Sequence, residues 1–174
     1  RLNPNIMFTT SRLFDGNLGN LDGADAKCQA AAQAAGLRGS YRAYLGSSSV
    51  GAAVNRFAGA RGWVRTDGLA MINGIGQFGT INLPAPPILD ENGASLAQSQ
   101  TPGAWTATNA DTTYMGQNCN AAGQVPDWTT TSARTLAGDI RAQSSAVLNG
   151  GGTLPCASTF HLYCFGVDRA ATVP

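Results

Sequence analysis

Residues 154–164 read LPCASTFHLYC, and they hold two of the chain's four cysteines, Cys156 and Cys164, together with its only histidine, His161. Three chemistries compete for this stretch: a metal site, a thiol beside its base, or the end of a disulfide framework. Zinc sites usually bring their ligands in close pairs such as C-x2-C, because one tight turn then aims two of them at one ion. Cys28, Cys119, Cys156 and Cys164 include no such pair, and a single histidine limits any mixed site. The run TFHLYCFGV, residues 159–167, reads as a strand. Phe160, Leu162 and Cys164 then face one way and His161, Tyr163 and Phe165 the other, so His161 and Cys164 point apart and do not form a catalytic pair. His161 reads instead as a solvent-facing or hydrogen-bonded side chain. Disulfides remain. An even number of cysteines in a lysine-poor chain fits an oxidising compartment, and three connectivities are open, among them the nested Cys28–Cys164 with Cys119–Cys156.

The composition agrees with a secreted domain. The chain has 174 residues, 43% of them hydrophobic, which suits one domain with a sizeable core (residues 1–174). Only 12% are charged and the net charge is +1, with one lysine, Lys27, against ten arginines. No strong field attracts nucleic acid or an anionic membrane, and no basic run is interleaved with aromatics. No apolar stretch is long enough to span a bilayer. The first residues, Arg1 to Pro4, carry no signal-peptide pattern.

Outward from the cysteines, LDGADAKCQAAAQAAGL (residues 21–37) is the clearest helix, with Ala24, Cys28, Ala31, Ala32 and Ala35 on one face of small residues. Asp22 or Asp25 is placed to cap its start, and Gly36 with Leu37 to close its end. SYRAYLG follows as a half-buried strand, with Tyr41, Ala43 and Leu45 alternating against Arg42 and Tyr44. A short second helix is expected around Val50, Val54, Phe57 and Ala58. GWVRTDG then reads as a short strand ending in an Asp67-Gly68 turn, and GAWTATN as a core strand around Trp105. Residues 69–103 are expected to be loop-rich, and 109–127 form a long polar loop holding Cys119. NGGGTLPC is expected to be a flexible connection before the last strand.

Enzyme signatures do not survive inspection. GIGQFG, Gly74 to Gly79, matches G-x-G-x-x-G, but TINLPAPP follows it and cannot be the helix that would meet a pyrophosphate. No G-x-S-x-G occurs. We expect a non-enzymatic protein. Asp90, Glu91 and Asn92, with Asn109 and Asp111, could supply oxygens to Ca²⁺. Arg38, Arg42, Arg56, Arg61 and Arg65 could form an anion-binding face. Trp105 and Trp128 read as core. Long loops of a compact domain usually carry function, so a partner surface is expected on 69–103 and 109–127, around Asp90, Asn92, Asn109, Asp111 and Tyr114.

Taken together, DGADAKCQAAAQAAGLRGSYRAYLGSS (22–48), AWTATNADTTY (104–114), a cysteine with a tryptophan nearby, and LPCASTFHLYCF (154–165) resemble the endostatin-like domain at the end of certain collagens, and still more the bacterial secreted domains related to it. The resemblance covers about Met7 to Phe165. It implies an α+β, C-type-lectin-like fold: a twisted, mainly antiparallel sheet, two helices, long loops, and the nested pairing Cys28–Cys164 and Cys119–Cys156. It also implies an extracellular, non-enzymatic binding or adhesion module for a protein, matrix or glycan partner. The chain lacks the N-terminal histidines with which animal endostatins hold zinc, and their richer arginine surface. The calcium triplets of lectins are not intact; QVPDW, 124–128, only approaches them. The alternative reading is structural: low charge and an Ala/Gly-rich surface suit a subunit that packs against copies of itself or into a larger surface complex, sheath or filament.

Overall fold

A computed structural model describes residues 3–121 and 126–174. Arg1, Leu2 and residues 122–125, including Gln124 and Val125 of the QVPDW stretch, lie outside the described residues. The elements are β1 (Asn5–Thr9), α1 (Asn20–Ala34), β2 (Tyr41–Ala43), β3 (Trp63–Val64), β4 (Ala70–Ile72), β5 (Gly103–Trp105), β6 (Arg134–Asp139), β7 (Thr153–Pro155) and β8 (His161–Gly166). They form one eight-stranded sheet in the order β4-β3-β1-β8-β5-β6-β7, with β2 also paired to β8. Two pairings, β1 with β3 and β5 with β8, are parallel; the rest are antiparallel.

The last strand organises everything. β1 takes one edge of β8 from Met7↔Phe165 to Thr9↔Tyr163. The other edge is divided: β5 pairs with His161 and Leu162, and β2 with Cys164 to Gly166. With neighbours on both edges and packing on both faces, all six residues of β8 are buried. Its alternation separates two cores, as the sequence suggests. Leu162 and Cys164 belong to the first, with Phe8, Leu45, Trp105, Trp128 and the buried face of α1, and Phe160 packs against it. Tyr163 and Phe165 belong to the second, with Tyr44, Phe57, Trp63 and Phe78. Edge-to-face contacts bind that second core, among them Phe78–Tyr163 at 5.1 Å between centroids and Trp63–Phe165 at 5.8 Å.

The helix lies close to the sheet because its inner face is small. Ala24, Cys28 and Ala32 are its buried residues, and Cys28 is disulfide-bonded to Cys164 with their Cα atoms 5.6 Å apart. The second disulfide, Cys119–Cys156, closes a 37-residue separation inside the 136-residue one, so the nested pairing holds. The helix ends as expected: Gly36 adopts φ 73°, its N–H reaches Gln33 O, and Leu37 N–H reaches Ala32 O, which is the Schellman arrangement. The start differs. Asn20 Oδ1, not an aspartate, accepts from Gly23 N–H at 3.1 Å. Asp25 instead links the helix to its neighbours, accepting from Ala43 N–H at 2.9 Å and from Arg56 Nη2 at 2.7 Å.

Several expectations are corrected. There is one α-helix among the described residues, not two. The segment expected to be the second is a 3₁₀ turn, Ala53–Phe57, bounded by Gly51 and Gly59 at φ 72° and 84°, conformations that end an α-helix on either side. Tyr44, expected to face outward, is fully buried in the second core. Strand β4 interrupts the loop-rich segment 69–103, and β7 lies within the connection expected to be flexible. Strand β6 carries a glycine, Gly138, whose Cα hydrogen faces the backbone: a Cβ there would meet Val147 O at 1.6 Å. Close approach of another chain segment, not poor strand character, explains that glycine. No helix among the described residues is long and apolar enough to cross a membrane.

Candidate functional site

Four residues other than glycine adopt positive φ among the described residues: Asn20 (67°), Ala107 (49°), Thr112 (73°) and Trp128 (57°). Such conformations cost energy and persist only where surrounding contacts enforce them. For Asn20, Ala107 and Trp128 the enforcing contacts converge on one end of the molecule. Asn20 N–H donates to Trp128 O, and Trp128 Nε1–H donates to Gly46 O at 3.0 Å. Gly46 N–H donates to Thr106 O beside Ala107, and Met115 N–H donates to Ala107 O. Thr112 sits in the turn that returns the chain to Tyr114, through Thr112 N–H to Asn109 O.

Asp127 holds this end together. It is buried, and its carboxylate accepts four hydrogen bonds: Oδ1 from Ser48 N–H (3.0 Å) and Asn118 Nδ2 (2.8 Å), Oδ2 from Ser49 N–H (3.2 Å) and Ser49 Oγ (2.7 Å). Burial alone would raise its pKa; the hydrogen bonds from Ser49, Asn118 and the two backbone N–H groups outweigh that and hold it below the ordinary value. Asn118 is a hub. Its amide also reaches Tyr114 Oη at 2.9 Å, and its carbonyl accepts from Trp128 N–H at 3.0 Å. Ser48 Oγ lies 3.3 Å from Tyr114 Oη and accepts from Asn120 Nδ2 at 3.4 Å. The Cys119–Cys156 bridge pins the loop between these groups. Beside this network opens a pocket of about 510 Å³, lined among others by Ser48, Gln117, Asn118, Asn120, Ser132 and Arg134. A second hollow of about 310 Å³ meets the hydrogen-bond network at Ser49 and Asp127. The polar groups of the first pocket are hydroxyls, amides and one guanidinium, set among Gly116, Ala121 and Ala133, and they can offer directional hydrogen bonds to a neutral polar ligand.

Of the five sequence-predicted binding residues, only Tyr114 joins this network. Asp90 is buried and accepts from Asn92 and Ala94 N–H at 2.9 and 2.8 Å, closing its own turn. Asn92 is exposed on that turn. Asn109 Nδ2 and Asp111 Oδ1 both bond Thr113 Oγ1, closing a second turn. Asp111 is held below the ordinary carboxylate value first by Thr113 Oγ1 and then by Thr113 N–H. No hydrogen bond among the described residues joins the two turns, and no group of three or more His, Cys, Asp or Glu is placed to hold a metal ion. The arginine set has other duties. Arg56 is buried between Asp25 and Ala43 O, Arg42 bonds Arg56 O at 2.7 Å, and Arg65 bonds Asp67 at 2.6 Å. Arg38 and Arg61 remain exposed.

His161 is hydrogen-bonded and 2% exposed. Nδ1 lies 2.6 Å from Thr10 O and Nε2 3.3 Å from Ser99 Oγ. Burial lowers its pKa, against smaller opposing effects of neighbouring carbonyls and Glu91. Ser99 Oγ itself donates to Thr101 O and accepts from Thr101 N–H, so the pair fastens a turn to β8.

Ser48, Asn118, Asn120, Asp127 and Arg134 are not singled out by the sequence. The usable signals are slight: a polar residue beside Cys119 on each side, and Asp127 directly before a tryptophan. No protein-family model matches the chain, and no curated protein matches it in sequence.

Proposed function

We propose that the chain is an extracellular binding domain whose ligand face is the polar loop end around Ser48, Tyr114, Gln117, Asn118, Asn120 and Arg134. The observation that carries this reading is the convergence of three strained non-glycine residues, Asn20, Ala107 and Trp128, on one pocketed end. Strain of this kind is concentrated where a chain is held ready for a partner. A saturated carboxylate, Asp127, and a disulfide hold the loops in place beforehand, which lowers the entropy lost on engagement. The hydroxyl and amide lining fits glycan hydroxyls or a polar stretch of a protein surface. Secretion is supported by the two disulfides. The finer fold reading, C-type-lectin-like and close to endostatin domains, is supported by three features: the first helix is tied by a disulfide to the last strand, the first and last strands pair antiparallel, and a second disulfide pins the long loop.

The test is a binding screen of the chain against immobilised glycans and purified matrix and surface proteins. A saturable binder whose affinity falls at least about tenfold in Gln117→Arg or Arg134→Glu, both at exposed positions, supports the reading. Saturable binding that neither change affects would move the site elsewhere. A monodisperse oligomer at working concentration with no binder would favour the self-assembling subunit instead.

A further inference from the structure

A groove of about 690 Å³ runs along the outer side of α1, far larger in apolar than in polar lining. Small-ligand sites occupy about 300–1,000 Å³. Its helix wall is a row of methyl groups, Ala26, Ala30, Ala31 and Ala34, facing Phe14 and Leu18. From Gly23 to Ala34 the wall is about 16 Å long at 1.5 Å per residue. Phe14 is a fixed platform: it bridges Phe160 in both directions, and its carbonyl also accepts from Trp105 Nε1 at 2.9 Å. Two cations share its ring, Arg12 at 5.7 Å and Lys27 at 5.6 Å from the centroid. Lys27 Nζ donates to Leu18 O at 3.1 Å, and neither cation has a carboxylate ion-pair partner among the described residues. Glu91 also lines the groove, its two oxygens accepting from Ser11 N–H and Ser11 Oγ, so two cations stand against one carboxylate there. One end of the groove is therefore positive, and the rest is hydrocarbon.

We infer that this groove binds an anionic amphiphile, a long-chain carboxylate, with its head group between Arg12 and Lys27 and its chain along the alanine face of α1. Charge complementarity selects the head group. Two cations brought to one ring, against the single carboxylate of Glu91, repel each other, and a second carboxylate between them relieves that repulsion. The wall selects the tail. An extended peptide laid in the groove would leave its own N–H and C=O groups facing methyls, because the helix backbone is already paired within itself; a hydrocarbon chain has no such groups to satisfy. The proposal does not depend on the polar loop end, which lies on other residues.

The experiment titrates the wild-type chain with sodium dodecanoate below its micelle concentration, following alanine methyl NMR shifts and calorimetric heat. The expected result is saturable one-to-one binding with shifts at Ala26, Ala30 and Ala31. Arg12→Gln with Lys27→Gln should weaken it at least about tenfold, and Ala30→Trp, at an exposed position, should abolish it while the circular dichroism and melting temperature stay at wild-type values. Dodecanoate binding that leaves those methyls unmoved, equal binding of dodecyltrimethylammonium, or no saturable heat would overturn the proposal. So would a wild-type dimer in sedimentation equilibrium that Ala30→Trp dissociates, since the groove would then seat a second copy.

Discussion

Replacing Asp127 by asparagine tests the architecture of the loop end with almost no change in volume. In the native chain, Oδ1 receives Ser48 N–H and Asn118 Nδ2, while Oδ2 receives Ser49 N–H and Ser49 Oγ. An asparagine keeps one acceptor and turns the other into an NH₂ donor. If the amide nitrogen replaces Oδ2, Ser49 Oγ can rotate to accept, but Ser49 N–H then faces another donor. The bonds retained at Oδ1 lose their ionic character, roughly 1 kcal/mol each, and the opposed N–H adds about 1–3 kcal/mol, partly relieved because Ser49 is exposed. The expected loss is about 3 kcal/mol, which for a chain of this size lowers the melting temperature by roughly 6–12 °C. The native carboxyl titrates below its ordinary value of 3.8. A depressed carboxyl pKa stabilises the fold fully above the unfolded value and loses that contribution as pH falls through the folded value. The gap between wild type and Asp127→Asn should therefore be widest at neutral pH and narrow below about pH 4. Differential scanning calorimetry from pH 7 to 3 measures both. A change under about 1 kcal/mol at pH 7, or a gap that widens on acidification, would refute the role given to Asp127.

Further outcomes follow from the same interior. Tyr44 and Tyr163 have buried hydroxyls with no hydrogen-bond partner among the described residues, so Tyr44→Phe and Tyr163→Phe should be neutral or stabilising by up to about 1–3 kcal/mol; a loss above 1 kcal/mol in urea unfolding would show that the hydroxyls are bonded. Gly16→Ala should destabilise the chain by more than about 2 kcal/mol in the same assay, because its Cβ would lie 2.2 Å from Cys119 Sγ and 2.7 Å from Cys156 Cβ; a wild-type midpoint would mean the bridge can move aside. Buried His161 has a lowered pKa, so wild-type stability should be complete above the ordinary value of 6.5 and decline as pH falls below it, and His161→Gln should flatten that part of the profile. Identical slopes between pH 7 and 5 would refute this.

The strongest parts of the sequence reading rest on periodicity and on cysteines. The alternation through TFHLYCFGV assigned the two faces of β8 correctly because a strand with two packed faces has no freedom to rotate. The close of α1 was legible because Gly36 and Leu37 act through neighbours in the chain. The nested disulfides came from resemblance, since spacing alone leaves three pairings open. Elements made by distant contacts were not legible. Gly138 disguises β6, and Asp25 serves β2 and Arg56 although its position in the sequence suits a cap. The candidate site was missed for the same reason. Ser48, Asn118 and Asp127 stand 70 and 79 residues apart by their contacts, and only folding brings them to one carboxylate. The carboxylates that looked functional, Asp90 and Asp111, bond donors only two to four residues away.

The central claim, that the polar loop end is where this chain meets its partner, is tested most directly by hydrogen–deuterium exchange with and without the strongest binder from the glycan and matrix screen. The account predicts slowed exchange at Ser47–Val50, Gly116–Asn120 and Ser132–Arg134, with the opposite sheet edge at β4 unchanged. Slowed exchange confined to α1 or to β3 and β4, with the loop end unaltered, would contradict it.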